Sequence, residues 1–389
     1  MSEHKPLPPF AATSGPRDAK IMIVGEAWGQ SEWESRRPFA GQSGQELFRM
    51  LGEAWPDESP ELHHRASAAM QYGAGWVRER EDWLAAASVF LTNVLALRPA
   101  GNNFLELCVP TAQIKEEFLS YDLPYVERGQ YLHPQYLGEI VRLFHEIEIV
   151  RPNIIVAAGA KAAWALLQTT NIGSIRGTIS QSAVPSVDGT FWKILPTYHP
   201  AGVMRQWSWR PQVVVDLMKA RVESEFPEIR RPERHIIVNP TIDEIIAAVE
   251  EIEKCTIVAS DTETTRGQIS MISFAWAHNR AITIPLIDIR DGAHYWKTAA
   301  EETIVWGLIA RVLENPNIAK IWQNGMYDLQ YILPLGIKAA ANLEDTMLLH
   351  HSHYPEMKKG LGFLGSIYTG EPAWKLMRTM KADTEKRDE

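Results

Sequence analysis

Short apolar runs that close on a polar side chain recur through the first half of the chain, and amphipathic stretches separate them. "AKIMIVGEA" reads as a buried strand, followed by a glycine-rich turn and the helix "SGQELFRMLGEAW". "VFLTNVLAL", "RPNIIVAAG" and "FWKILPTYHPAG" repeat the strand pattern. Helix "AKAAWALLQ" follows the second of these, and helix "RPQVVVDLMKARVE" closes the half. Repeated strand–loop–helix units predict a parallel sheet with helices on both faces, where ligands sit at the carboxyl ends of strands. Those ends carry Glu26, Asn93, Gly159 and His199. Residues 53–87 and 102–138 break the alternation and read as helical or irregular insertions near the mouth of a site.

After "EFPEIRRPERHIIVNP", which reads as a linker, the pattern restarts. "TIDEIIAAVEEIEKC" is an amphipathic helix with Thr241 as N-cap and Glu244 completing a capping box. "TIVASDTETT" is a strand, and "ISMISFAWAHNRAITIPLI" a hairpin turning at "HNR". "AEETIVWGLIARVLEN", "AKIWQNG" and "MYDLQYILPLG" add helix, strand and helix, and "KLMRTMKADTEKRDE" a charged terminal helix. The expected organisation is therefore a first domain over 1–225, a linker over 226–236 and a second domain over 237–389.

Composition narrows the function. A chain of 389 residues suits two domains, and a net charge of -9 excludes a whole-chain basic footprint, so any nucleic-acid binding must use local patches. Two distant cysteines, Cys108 and Cys255, build neither a zinc pattern nor a disulfide framework, which suits a reducing cytoplasm. The N-terminus lacks the apolar core of a signal peptide, and no run approaches membrane-spanning length.

The residues at the first strand ends form a chemical set. Phe39 offers a flat stacking face, Asn93 a donor and an acceptor side by side, His199 a donor for a developing anion, and Glu26 or Glu32 a carboxylate to orient water. That set suits a base taken out of the stack for cleavage of its glycosidic bond. "GEAWGQSEWESRRPFAGQSG", "LTNVLALRP", "RPNIIVAAGAKAA" and "ILPTYHPAGVMR" together resemble the uracil-DNA glycosylase superfamily, nearest its family-four branch, over roughly residues 18–222. The resemblance implies a three-layer α/β/α fold with a central parallel sheet. It implies that Glu26 contacts the base and positions water, Glu32 sits at the pocket edge, Phe39 stacks, Asn93 reads the polar edge and His199 stabilises the leaving base. It further implies a phosphate at Ser43 and Gly44, a wedge at Val203 or Met204, and phosphate contacts at Arg205 and Arg210. Trp28 stands where that family has Pro, and Leu97 where a cysteine would precede "RP", so no iron–sulfur cluster is expected.

The second half carries a different chemistry. Asp261 and Glu263 share one strand face, and Asp328 opens a helix some distance on. Converging carboxylates repel unless divalent cations neutralise them, and hard oxygens suit Mg²⁺ or Mn²⁺. "SDTETT" and "NGMYD" resemble the first two motifs of the DEDD-type 3′–5′ exonuclease domain of family A DNA polymerases, as in bacteriophage polymerases. This implies an RNase H-like fold with a mixed sheet, metal ligation by Asp261, Glu263 and Asp328, and support of fold or substrate by Asn324. Asp345 is not a ligand in that pattern. The fourth carboxylate is missing: Tyr368 leads to no partner, and Asp383 and Asp388 have no Tyr or His four residues before them. The chain thus reads as the N-terminal part of a polymerase or as a protein that has lost this motif. His350, His351 and His353 are expected at a surface or nucleic-acid-facing helix end.

Two functional readings follow. One is DNA repair or replication by base excision plus metal-dependent exonuclease action, with DNA and a polymerase or replication protein as partners, in the cytoplasm of a bacterium or phage-infected cell. The other is a non-catalytic DNA-binding module.

Overall fold

The computed structural model describes residues 5–55, 76–117, 125–288, 290–339 and 342–371. The terminal charged helix and much of the first insertion lie outside these residues. The chain forms two units and passes from one to the other between Ile229 and Arg230, and the segment from Gly362 belongs with the first.

In the first unit, β1 (Ile21–Ala27) is followed by α1 (Gln30–Ser35) and α2 (Gln42–Ala54), then α3 (Trp76–Ala86) and β2 (Val89–Leu95). The second insertion holds β3 (Cys108–Pro110), α4 (Thr111–Glu117), β4 (Tyr125–Glu127) and β5 (Gln130–Leu132). Those strands pair as an antiparallel sheet in the order β3-β5-β4, where the sequence suggested helical or irregular chain. Strands this short carry too little alternation to be read locally. The core then resumes with α5 (Leu137–Val150), β6 (Ile154–Ala158), α6 (Ala160–Leu167), α7 (Ile172–Ile175), β7 (Ser180–Gln181) and β8 (Lys193–Thr197). Helices α8 (Pro200–Arg205) and α9 (Arg210–Glu223) follow.

The main sheet has the order β2-β1-β6-β8-β7, with β2, β1, β6 and β8 parallel and β7 antiparallel to β8. Alternation along β1 separates two cores. Ile21 and Ile23 join Phe48, Leu51 and Leu217 on one face, while Met22 and Val24 join Leu143, Ile147 and Ala162 on the other. Helices thus cover both faces in three layers, and the apolar run is continuous because both faces are buried. The chain runs from β1 to β2 on one side and returns to β6 on the other. This reversal opens a crevice at the carboxyl ends of the strands.

The second unit is a mixed sheet. Its strands are β9 (His235–Val238), β10 (Ile257–Thr265), β11 (Gln268–Ala277), β12 (Arg280–Pro285), β13 (Ala319–Trp322) and β14 (Leu343–Asp345). Their order is β14-β13-β10-β11-β12-β9, with antiparallel pairs β10–β11 and β11–β12 and the others parallel. Strand β9 takes up the end of the expected linker, because "HIIV" pairs along β12. Helices α10 (Ile242–Ile252) and α11 (Ala299–Glu314) supply the apolar cover, with Ile245, Val249, Ile309 and Val312 in one core beside Phe274 and Ile284. Thr241 and Glu244 form the expected capping box. Helices α12 (Gly325–Ile332) and α13 (Thr346–His353) complete this unit. Helix α14 (Leu361–Tyr368) precedes Thr369, and in the first unit Lys219 donates to the carbonyls of Ser366 and Thr369. Both units are α/β.

Candidate functional site

A cavity of 340 Å³ opens at the carboxyl ends of the first sheet, and Glu26, Glu32, Phe39, Ser43, Asn93, His199 and Arg205 all line it. Trp28, Pro99 and Asn102 line it too. Register explains the convergence. Gly25 sits opposite Asn93 in the β1–β2 pair, and a Cβ there would collide with the Asn93 side-chain oxygen and lie 2.7 Å from the Phe39 ring. Glycine at this strand end lets the amide and the ring approach.

The loop between β1 and α2 is pinned by two side chains, Glu32 and Arg80. Glu32 accepts the Gly29 N–H at 2.9 Å and bonds the Ala40 backbone, closing the loop on itself. Arg80, fully buried on α3, donates to the carbonyl of Phe39 at 3.0 Å and to that of Pro38. Phe39 itself holds a φ of 54°, which an L-residue keeps only when its surroundings impose it. Burial draws the Arg80 guanidinium down to about 9, which leaves it charged at neutral pH.

His199 is the N-cap of α8. Its Nδ1 accepts the Ala201 N–H at 3.1 Å, so the neutral imidazole carries its proton on Nε2. Burial, then the nearby Arg205 charge, push it down to about 4. Its ring lies 22° from that of Phe39 with centroids 5.9 Å apart. Asn93 is 4% exposed, and its side-chain amide makes no hydrogen bond among the described residues. Burial raises the Glu26 carboxyl above its ordinary range; Lys161 and Arg205 pull it back, and Glu127 raises it further.

Three sets of residues escaped the sequence reading. Arg142 on α5 donates to the carbonyls of Asn93 (2.7 Å) and Val94 (3.1 Å) and pairs with Glu139 and Glu146 at 3.0 and 2.8 Å. Glu139 also accepts the Ala96 N–H, and Glu146 the Thr92 hydroxyl, so a buried ionic network holds the end of β2. Lys161 on α6 pairs with Glu127 at 2.7 Å beside Glu26. Arg80 completes the list. Lys161 is signalled only as a charge inside an otherwise apolar helix, and Arg80 is one of five consecutive charged residues, which gives it no signal of its own.

Other expectations change. Val203 is fully buried in the core, so of the two candidate wedge residues only Met204, 45% exposed, faces outward. Arg210 is committed to Glu46 (2.7 Å) and Glu53 (2.6 Å), which draws its charge away from a phosphate role. Trp28, where the family has Pro, is buried with Leu7, Ala12 and Ala96. An iron–sulfur cluster needs four thiolates. This unit offers only Cys108, whose thiol burial pushes up to about 11, and Leu97 is buried in the apolar core, so the residues do not fit a cluster.

In the second unit, Asp261 and Glu263 lie on the exposed face of β10, and a register shift follows Glu263. Asp328 is buried, and its Oδ1 accepts both the Thr262 N–H (2.9 Å) and the Thr262 hydroxyl (2.6 Å). Among the described residues no group of three His, Cys, Asp or Glu side chains is placed to hold a metal ion. The structure therefore does not bring Asp261, Glu263 and Asp328 together as the expected cation site. Burial raises the Asp328 carboxyl above its ordinary value, with the Asp345 charge adding to the shift. Asp345 pins two segments: it accepts the backbone N–H groups of Asn324, Gly325, Met347 and Leu348. Asn324 caps α12 with φ 62°. His350 is buried on α13 rather than surface-facing, while His351 and His353 are exposed. Among the described residues no helix is long and apolar enough to cross a membrane.

Comparison with known proteins accounts for both halves. Residues 12–220, over half of the 389, match the Uracil DNA glycosylase superfamily, and residues 237–386 match a 3'-5' exonuclease family. Both are families of hydrolases that act on nucleic acids. The type-4 uracil-DNA glycosylase of Archaeoglobus fulgidus is 28% identical over 58% of this chain and 83% of its own. That of Pyrobaculum aerophilum is 28% identical over 51% and 74%. Among solved structures, Escherichia coli RNase D shares 19% identity over 37% of this chain and 35% of its own, with a TM-score of 0.28. The Aedes aegypti Nibbler EXO domain shares 17% over 38% and 74%, with a TM-score of 0.29.

Proposed function

Since the chain belongs to the uracil DNA glycosylase superfamily, we propose that its first unit hydrolyses the N-glycosidic bond of uracil in DNA. The observation that carries this reading is the pairing of two unspent polar groups at one cavity: the Asn93 amide and the His199 Nε2–H. A buried amide with no protein partner is costly unless a ligand or water completes it. The edge of a pyrimidine offers an acceptor and a donor side by side, which that amide matches.

In this reading the extruded base lies against Phe39, with Asn93 on its polar edge. The His199 Nε2–H donates to the base oxygen on which charge grows as the bond to the sugar breaks. A neutral, preoriented donor suits that task because it needs no reorganisation. Glu26 orients the water that adds to the sugar carbon, and the base leaves with the bonding electron pair. Glu32 acts through the loop it closes, and Ser43 and Arg205 take the neighbouring phosphate. Asn93→Asp reverses part of the hydrogen-bonding edge; loss of uracil release with gain of cytosine release supports this reading, and unchanged uracil release counts against it.

For the second unit we propose a nuclease-family unit that engages a DNA strand. Asp261, Glu263 and Asp328 are the candidates for its chemistry, and Mg²⁺ or Mn²⁺ is the cation their oxygens suit. Among the described residues, the placement of these side chains supports no step through a cation. A polymerase or replication protein is the partner we propose, and a phage-infected or bacterial cytoplasm the setting. Shortening of 3′ ends in Mn²⁺, abolished by Asp261→Ala, would assign the unit a cutting role.

A further inference from the structure

A second, larger cleft of 720 Å³ lies in the first unit and shares Pro99 with the base cavity. Its lining includes Lys5, Arg36 and Arg98 against one carboxylate, Glu106, and two aromatic side chains, Trp33 and Tyr136. This local excess of cations stands out in a chain of net charge -9. Trp33 is 43% exposed, and the Arg36 guanidinium sits 4.5 Å over its ring. Arg36 makes no ion pair among the described residues; its charge is met only by the faces of Trp33 and, at 5.7 Å, Trp28. Arg98 is held by Gln30 and Asn102, neutral partners that orient its guanidinium and leave its charge uncancelled. Asn102 also lines the base cavity, so one side chain links the two hollows.

An exposed aromatic face beside uncompensated cations is the chemistry that binds single-stranded nucleic acid: bases stack and phosphates are neutralised. We propose that this cleft holds the nucleotide flanking the extruded base on a single DNA strand, its base on the Trp33–Arg36 pair and its phosphate between Arg36 and Arg98. The proposal rests on the reading of the neighbouring cavity as a base pocket, since a strand whose base enters one hollow carries its neighbour past Pro99 to the other. Pyrimidine or purine would serve equally, because stacking is indifferent to the base edge.

The experiment uses the full chain and a fluorescein-labelled single-stranded oligonucleotide of normal bases, with affinity read by anisotropy. Trp33→Ala is expected to weaken binding by about 5- to 150-fold, and Trp33→Phe to restore most of it. Arg36→Ala is expected to weaken binding and reduce the slope of log affinity against log salt by roughly 0.7. These side chains are exposed, so the variants retain the fold. Wild-type affinity in Trp33→Ala, Arg36→Ala and Arg98→Ala alike would overturn the proposal. Free uracil released by a wild-type chain whose cleft variants bind normally would sink the cleft and leave the base pocket standing. Weakened strand binding in Trp33→Ala beside a wild type that releases no base would do the reverse.

Discussion

The imidazole of His199 and the ring of Phe39 lie within 22° of parallel, 5.9 Å between centroids, on the wall of one cavity. One residue comes from the N-cap of α8, the other from a loop that Glu32 and Arg80 hold. The same wall therefore supplies a stacking face and a hydrogen-bond donor with a fixed tautomer.

His199→Ala removes that donor without opening the core, since the residue caps a short helix. Base release is expected to fall by about 10²- to 10³-fold, the usual loss for one donor to a developing anion. Single-turnover kinetics on a uracil-containing oligonucleotide measures it, and circular dichroism checks that the fold persists.

The pH dependence has a defined sign. His199 titrates at about 4 in the fold against an ordinary value of 6.5. The unfolded chain takes up that proton first, so this contribution to stability is complete above 6.5 and is lost as pH falls from there toward 4. Protonation would also set an Nδ1–H against the Ala201 N–H, so base release should fail on the same acid side. Arg205 lowers both His199 and Glu26. Arg205→Ala is therefore expected to shift the acid limb of the pH–rate profile upward; an unmoved limb contradicts this electrostatic account.

Arg142→Met strands the buried carboxylates of Glu139 and Glu146 and frees the carbonyls of Asn93 and Val94. Removing one partner of a buried ion pair costs about 3–5 kcal/mol. Urea denaturation should show a loss of that order, with weaker base discrimination in whatever fraction stays folded.

Asp328 carries the opposite sign from a stabilising carboxylate. Its raised value means that the folded state holds the proton more tightly, so stability falls as pH rises from 3.8 through its folded value. At neutral pH Asp328→Asn should leave the thermal midpoint unchanged or raise it, because Thr262 can still donate its hydroxyl to the amide oxygen. A loss above about 1 kcal/mol would show that the charge holds the unit together.

Much of the cavity was legible because its residues close apolar runs. Glu26 and Asn93 lie near the carboxyl ends of β1 and β2 and His199 just beyond β8, strands that short apolar, β-branched runs mark locally, and a parallel sheet brings such ends together. What stayed hidden acts across long separations. Arg80 reaches Phe39 over 41 residues, and Arg142 reaches Asn93 over 49, and no local period records either bond. Val203 and Met204 were indistinguishable in sequence because the rotation of one short helix by about 100°, a single residue, decides which enters the core. In the second unit the motif spacing was plain, but the turn of Asp328 toward Thr262 depends on how α12 meets β10.

The most direct test of the central claim is the release of free uracil from a uracil-containing single-stranded oligonucleotide under single-turnover conditions. Wild type and Asn93→Ala are compared with a thymine-containing control. The account predicts uracil release by wild type, little or none from the thymine strand, and a large loss in Asn93→Ala with the fold intact. No release by a folded wild-type chain, or equal release by Asn93→Ala, would contradict it.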